Sequence, residues 1–351
     1  MGERDIDRIR RKVEAQKLGW KVRPSPFSNL SKEEIRRRYG SPLSESMRLL
    51  YLDFHQRTQA YIQTVMPSTP IFTDRDWRDV EGKSYVTPSK KMGDIGACTA
   101  FALAATLESN LAIRKRQSVD DLTQDLSETD LYFCPSNPNC DPDQGMFIED
   151  AFRKVNERGI SMEQMARPWP TDPQNIKCMD PSSCTSCGND SNRATCERIV
   201  AWTTIDDIGK AKEWIYRWGP VIAEMVVLTD FVYYDPTGGP YIPTAGEDFV
   251  CLHTLSVIGF VNTPNEPAYS GYWICKDTKD VFIEGIVKIA YGQCGMLSKY
   301  VHPVDGTEFV FPFYGLGHRF KFPQDNPMAQ WEFPHRRWPE NWDELLMQPN
   351  K

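Results

Sequence analysis

The stretch Val86–Leu111, VTPSKKMGDIGACTAFALAATLESNL, constrains the fold of this chain more than any other. A glycine-containing loop runs into Cys98. From there Phe101, Ala104, Ala105, Leu107, Leu111 and Ala112 recur at roughly the three- and four-residue spacing of one helical face. The spacing predicts a helix with Cys98 at or beside its N-terminus. Unpaired backbone N–H groups and the positive end of the helix dipole favour a thiolate there. A thiolate is a strong nucleophile, and a neighbouring backbone N–H can hold the oxyanion its attack creates. The competing reading of a single cysteine is an inert buried thiol, so its surroundings decide.

Asp76–Asp79 (DWRD), then VTP, then GACTAF resembles the opening of the mature papain-like cysteine peptidases, DWR…VTPVKNQGSCGSCWAF. In that family the matching cysteine is the nucleophile. His253, in CLHTLSVIGF, matches the family's HAV…VGY strand, whose histidine is the general base. Of the five histidines only His253 opens an apolar strand, and its separation of 155 residues from Cys98 agrees with the papain-like arrangement. Asp277, in GYWICKDTKD, stands where the family's KNSWG has asparagine. A carboxylate there can orient the imidazole as an amide does, and favours imidazolium more strongly. The resemblance therefore implies a catalytic set of Cys98, His253 and Asp277, with no cofactor.

The same resemblance marks departures. Met92 occupies the place of the oxyanion-hole glutamine and cannot donate a hydrogen bond. Thr99 replaces the tryptophan that follows the nucleophile, and Lys279 replaces the tryptophan of KNSWG. NCDPDQGMFIEDAF resembles the GCNGG…AF element whose glycine backbone pairs with bound peptide. Gly145 matches its second glycine and Gln144 replaces the first, so Gly145, Gln144 and Met92 are the substrate-binding candidates.

Residues 1–74 are highly charged and read as helix, loop, helix. Ser31 followed by Glu34 is a capping-box pattern opening a short helix that Gly40 closes. Trp20, Phe27, Ser28, Leu30, Ser31, Glu33 and Glu34 resemble the end of papain-family prosegments, which cross the cleft and block it. The partners implied are a peptide or amide substrate and the chain's own N-terminal segment as inhibitor. A surface helical extension is the competing reading. Residues 43–66 form a further helix candidate.

The region 171–200 carries Cys178, Cys184, Cys187 and Cys196, with one CxxC. Four thiolates could hold a tetrahedral zinc. The family resemblance instead pairs Cys134 with Cys178 and Cys251 with Cys294 as disulfides. Both readings stand. Downstream, short β-branched runs follow one another (DFVYYD, CLHTLSVIGFV, GYWICKD, EGIVKIAYG). A helical first half and a strand-rich second half predict an α+β, papain-like fold with a cleft between the halves. The domains expected are a prosegment-like region 1–74, a catalytic domain 75–300 and an aromatic, proline-rich extension 301–351.

Of 351 residues, 40% are hydrophobic and 12% aromatic, which suits a globular chain, and a net charge of -7 argues against nucleic-acid binding. No apolar run approaches membrane-spanning length and the N-terminus lacks a signal-peptide core, so a cytoplasmic protein with no membrane partner is expected, with secretion the alternative that ten cysteines keep open. The function expected is hydrolysis of peptide bonds through a Cys98 thioester. Acyl transfer on the same scaffold, or a catalytically impaired binding protein, are the competing readings.

Overall fold

A computed structural model describes residues 3–39, 73–93, 95–121, 125–134, 145–157, 159–163, 169, 197, 199–266, 269–278, 282–302, 306 and 308–318. The elements in chain order are α1 (Glu3–Gln16), β1 (Lys21–Val22), α2 (Lys32–Tyr39), β2 (Arg75–Asp76), α3 (Cys98–Lys115), α4 (Glu128–Phe133) and α5 (Ile148–Glu157). There follow β3 (Ile199–Ile205), α6 (Ile208–Trp218), β4 (Val221–Leu228), β5 (Tyr234–Asp235), β6 (Phe249–Asn262), β7 (Gly271–Lys276), β8 (Ile286–Ala290), β9 (Tyr300–Val301), β10 (Glu308–Phe309) and β11 (Phe313–His318). Helices dominate the first half and strands the second, as the sequence predicts.

Helix α3 is buried from Cys98 to Ile113, the condition of a helix apolar on most sides and small enough to be surrounded. It ends at Arg116, whose left-handed backbone (φ 53°) turns its amide back onto the helix carbonyls. Phe101, Leu107, Leu131, Phe152 and Val155 pack around it into one core. A second core lies on the antiparallel sheet, whose order is β3-β11-β4-β6-β7-β8, with β2 added to β6. Long β6 runs through the centre, pairing Met225 of β4 with His253 and Cys275 of β7 with Val257.

Strand β11 pairs with β3 through Phe313↔Ile205 and with β4 through Tyr314↔Ile222. Strand β11 thus belongs to the main sheet although it lies past residue 300, whereas β9 and β10 pair with each other as a separate two-stranded sheet. Pro312 interrupts the aromatic run and hides its strand character from a sequence reading, although Phe313, Tyr314 and Leu316 are all buried. The helix candidate at 43–66 and the tail beyond residue 318 lie outside the described residues.

The N-terminal elements are part of the second core. Ile9, Val13, Trp20, Phe27, Ile35 and Tyr39 bury themselves against Phe231, Tyr234 and Tyr241. Trp20 donates its indole N–H to the Ile242 carbonyl at 3.0 Å, with its ring 5.6 Å from that of Tyr241. β1 adds to β5 through Val22↔Tyr234. Arg8 and Lys12 of α1 both reach the Glu247 carboxylate, each at 2.5 Å. The capping box forms as expected: Ser31 N–H donates to Glu34 Oε2 at 2.7 Å, and Glu34 N–H to Ser31 Oγ at 3.2 Å.

A buried polar network joins the two halves. Lys276, at the end of β7, donates to Thr87 Oγ1 at 2.9 Å, and Thr87 donates to Glu108 of α3 at 2.6 Å. Lys90 sits 3.5 Å from Glu108 and 2.9 Å from Glu128. Burial lowers Lys276 to about 8, partly offset by Glu108 and Glu128. Removing one partner of such a network leaves charges buried and unpaired. Glu108→Ala is expected to cost about 3–5 kcal/mol, read as a fall in the urea midpoint. A midpoint within error of wild type would contradict the assignment.

Candidate active site

Cys98 is the first residue of α3, and Ala97 before it supplies no side-chain cap. No side-chain cap therefore competes for the amides of the first turn. The Cys98 thiol is fully buried; it donates to the Tyr39 carbonyl at 2.8 Å and accepts from the Thr254 N–H at 3.5 Å. The last residue of α2 thus lies directly on the candidate nucleophile. The Tyr39 ring stands edge-on to the His253 imidazole, with centroids 4.7 Å apart at 89°. His253, on β6, is also fully buried.

Asp277 follows the last residue of β7. Its N–H donates to the Gly285 carbonyl at 2.6 Å, and its Oδ1 accepts the Thr278 N–H at 2.5 Å. Gly285 adopts φ 63°, and a Cβ there would fall 2.6 Å from the Asp277 carbonyl oxygen and 2.1 Å from Ser89 Oγ, so only glycine lets the two loops close. The result is Asp277 Oδ1 at 3.2 Å from His253 Nε2. Burial pulls His253 down, but the Asp277 charge and the contact with Cys98 outweigh it and raise the imidazole to about 9. At neutral pH the ring is an imidazolium between a carboxylate and a thiol. This arrangement can hold a thiolate, move a proton and keep water away.

The structure therefore brings together Cys98, His253 and Asp277. Met92 is fully buried behind them: its N–H donates to the Thr278 carbonyl at 3.3 Å, its carbonyl accepts the Trp169 indole N–H at 3.0 Å, and its Sδ accepts the Thr278 hydroxyl at 3.8 Å. It packs as an apolar side chain and offers no donor. Gly145 holds φ 72°, a left-handed conformation suited to glycine. Gln144, Lys279 and the cysteines 140, 178, 184, 187 and 196 lie outside the described residues, so the zinc set and the Cys134–Cys178 pairing fall there too.

One expected pairing is corrected. Cys251 and Cys294 are both buried thiols outside any disulfide, as is Cys275. The two sulfurs keep different company: Cys251 lies near Tyr39, whereas Cys294 lies near Asp230 and Cys275. Burial, with those neighbours, pushes Cys294 well above the ordinary thiol range, so it stays protonated.

Sequence reasoning missed Tyr39 and Thr254, and marked Thr99 only as a departure from the family pattern. The signal for Tyr39 was modest: a lone aromatic closing a basic helix, just before Gly40.

The family model described as "Papain family cysteine protease" matches residues 71–304. Procathepsin L of Rattus norvegicus is 20% identical over 302 residues, spanning 82% of this chain and 79% of that protein. The viral cathepsin of Orgyia pseudotsugata multicapsid polyhedrosis virus is 28% identical over 258 residues, spanning 72% and 67%. Falcipain-2a of Plasmodium falciparum is 28% identical over 186 residues, 53% of this chain but only 33% of its own length. Among solved structures, procathepsin B S9 of Trypanosoma congolense aligns with a TM-score of 0.64 at 18% identity, covering 91% of this chain and 99% of its own. Procathepsin L2 of Tenebrio molitor aligns at 0.62 with 20% identity, covering 90% and 89%.

Asp277→Asn, the family's own residue, removes the charge that raises His253. The imidazole's NMR titration midpoint is expected to fall from about 9 toward or below its ordinary 6.5. By linkage, a raised histidine stabilises the fold fully below 6.5 and loses that contribution as pH climbs through 9, so the variant should lose stability at neutral pH and little above 9. An unmoved midpoint would show that another group charges the ring.

Proposed function

This chain belongs to the papain family of cysteine proteases, and from that premise we propose that it is a latent thiol peptidase blocked by its own N-terminal segment. The observation that carries the reading is the Tyr39 carbonyl resting on the Cys98 thiol at 2.8 Å, beside the His253–Asp277 pair. A stretch of peptide already lies where a substrate peptide would be attacked. Its oxygen faces the sulfur, whereas attack needs the carbonyl carbon there and the oxygen turned to the amide donors. The contact blocks without being cut.

Once the segment is displaced, the Cys98 thiolate adds to the scissile carbonyl. The tetrahedral oxyanion is held by the Cys98 backbone N–H at the uncapped start of α3. His253 gives its proton to the leaving amine, the C–N bond breaks and a thioester forms. Neutral His253 then takes a proton from water, the hydroxide attacks, and the acid departs as the thiolate returns. Asp277 keeps the imidazole oriented through both steps. Gly145 borders the bound peptide. Met92 contributes packing and no hydrogen bond to the oxyanion, which leaves a weaker oxyanion hole than a glutamine would build.

The test incubates the full chain with fluorescein-labelled casein from the acid range in which the Glu247 anchor weakens up to neutral pH. Wild type is expected to release fluorescent peptides and to shed its N-terminal segment, and Cys98→Ala to do neither. Casein left intact by wild type after the segment is gone would overturn the reading.

Displacement follows from charge. Burial raises Glu247, but Arg8, Lys12 and the Thr229 hydroxyl outweigh it and hold the carboxyl below its ordinary 4.5. A depressed carboxylate stabilises the docked segment above 4.5 and loses that contribution as pH falls through the depressed value. Hydrogen-exchange protection of α1 is expected to drop in that acid range, and Glu247→Gln to lower it already at neutral pH. Protection in the variant equal to wild type would rule this anchor out.

A further inference from the structure

Two buried threonines adjoin the catalytic pair: Thr99 follows Cys98 on α3, and Thr254 follows His253 on β6. Thr99 Oγ1 donates to the Met146 carbonyl at 2.9 Å and lies 3.0 Å from Thr254 Oγ1. A hydroxyl carries one proton. Thr99 has given its own to a carbonyl, so in the second contact it accepts and Thr254 donates. The outcome is a directed chain from Thr254 through Thr99 to Met146. Its members sit on three separate pieces of the site: the strand of the base, the helix of the nucleophile, and the segment that begins at Gly145. Thr254 also gives its backbone N–H to Cys98 Sγ at 3.5 Å. Neither hydroxyl belongs to the family pattern, which has tryptophan after the cysteine and alanine after the histidine.

We propose that Thr99 and Thr254 are positioning residues whose hydroxyl chain sets the Cys98-to-His253 separation and ties the substrate-side segment at Gly145–Met146 to both. The proposal rests on the peptidase reading for the roles of Cys98 and His253. Where the family fills the space after its nucleophile with a large ring, this chain uses a three-point hydrogen-bonded staple. Buried hydroxyls in such a chain hold distance and direction together, because each bond is lost if the elements part. With the staple broken, β6 can draw back from α3, the Thr254 N–H leaves the sulfur, and the thiolate loses a donor. The ionisable groups around Cys98 are His253 on β6 with Asp277 behind it, Tyr39 from α2, and Cys251 near Tyr39.

The test reads the thiolate directly. In the full chain carrying Arg8→Ala and Lys12→Ala, which loosens the N-terminal segment, Cys98 is alkylated with iodoacetamide across pH and located by peptide mass mapping. Thr254→Val keeps shape and backbone while deleting the hydroxyl. It is expected to move the acid limb of alkylation up by about one pH unit, about tenfold in rate below the limb. Thr254→Ser should restore the wild-type profile. Thr99→Val should shift the limb likewise and raise KM for casein, and the double variant should be no worse than the worse single. An unmoved limb in Thr254→Val, or fully additive effects in the double, would overturn the proposal; a merely structural role lowers the melting temperature and leaves the limb in place. Should Thr99→Val fail to fold, Thr254→Val decides alone, because it sits at the donor end and leaves the Thr99–Met146 bond intact. Alkylation needs no amide substrate, so a chain that fails to digest casein would sink the peptidase reading without touching this result.

Discussion

The pairing of His253 with Asp277 is the interaction on which the site depends. Burial by itself would strip the imidazole of its proton, leaving a neutral ring beside a neutral thiol. A carboxylate 3.2 Å away reverses the balance and raises the ring to about 9. That carboxylate is in place because β7 ends one residue before it, Gly285 lets a second loop close over it, and Lys276 anchors the strand end to Thr87 and so to Glu108 of α3. Lys276, which joins the halves, and Asp277, which charges the imidazole, are adjacent residues of one chain. Moving either would disturb the other.

The segment we propose as the inhibitor is built into the same core. The N-terminal segment does not lie over a finished domain; Trp20, Ile35 and Tyr39 supply apolar surface that the sheet would otherwise leave open. α2 ends at the thiol because its basic face is held at the rim, with Arg36 donating to the Val250 carbonyl at 2.5 Å and Lys32 paired with Asp248. The anchors at the far end, Arg8 and Lys12 on Glu247, are ionic, whereas Tyr39 sets its carbonyl on the Cys98 thiol and its ring edge-on to His253. On the proposed reading, loss of the ionic anchors loosens the segment, and its lifting exposes the hydrophobic surface beneath it.

Local rules of the chain determined a good part of this protein. The period of α3, the cap formed by Ser31 and Glu34, and the β-branched runs of the second half depend on neighbours a few residues apart, so they could be read in order. Cys98, His253 and Asp277 could be singled out as candidates because each sits in a short pattern with its own chemistry, and the fold brings the three together. Tertiary structure alone decided the rest. β11 joins the sheet despite Pro312 because its partners, β3 and β4, lie some hundred residues earlier. Cys251 and Cys294 stay apart because the fold gives each sulfur different neighbours. The Tyr39 carbonyl meets Cys98, and Thr254 meets Thr99, across separations that no local pattern encodes; only the packing of β6 and α2 against the start of α3 brings those groups within hydrogen-bonding reach.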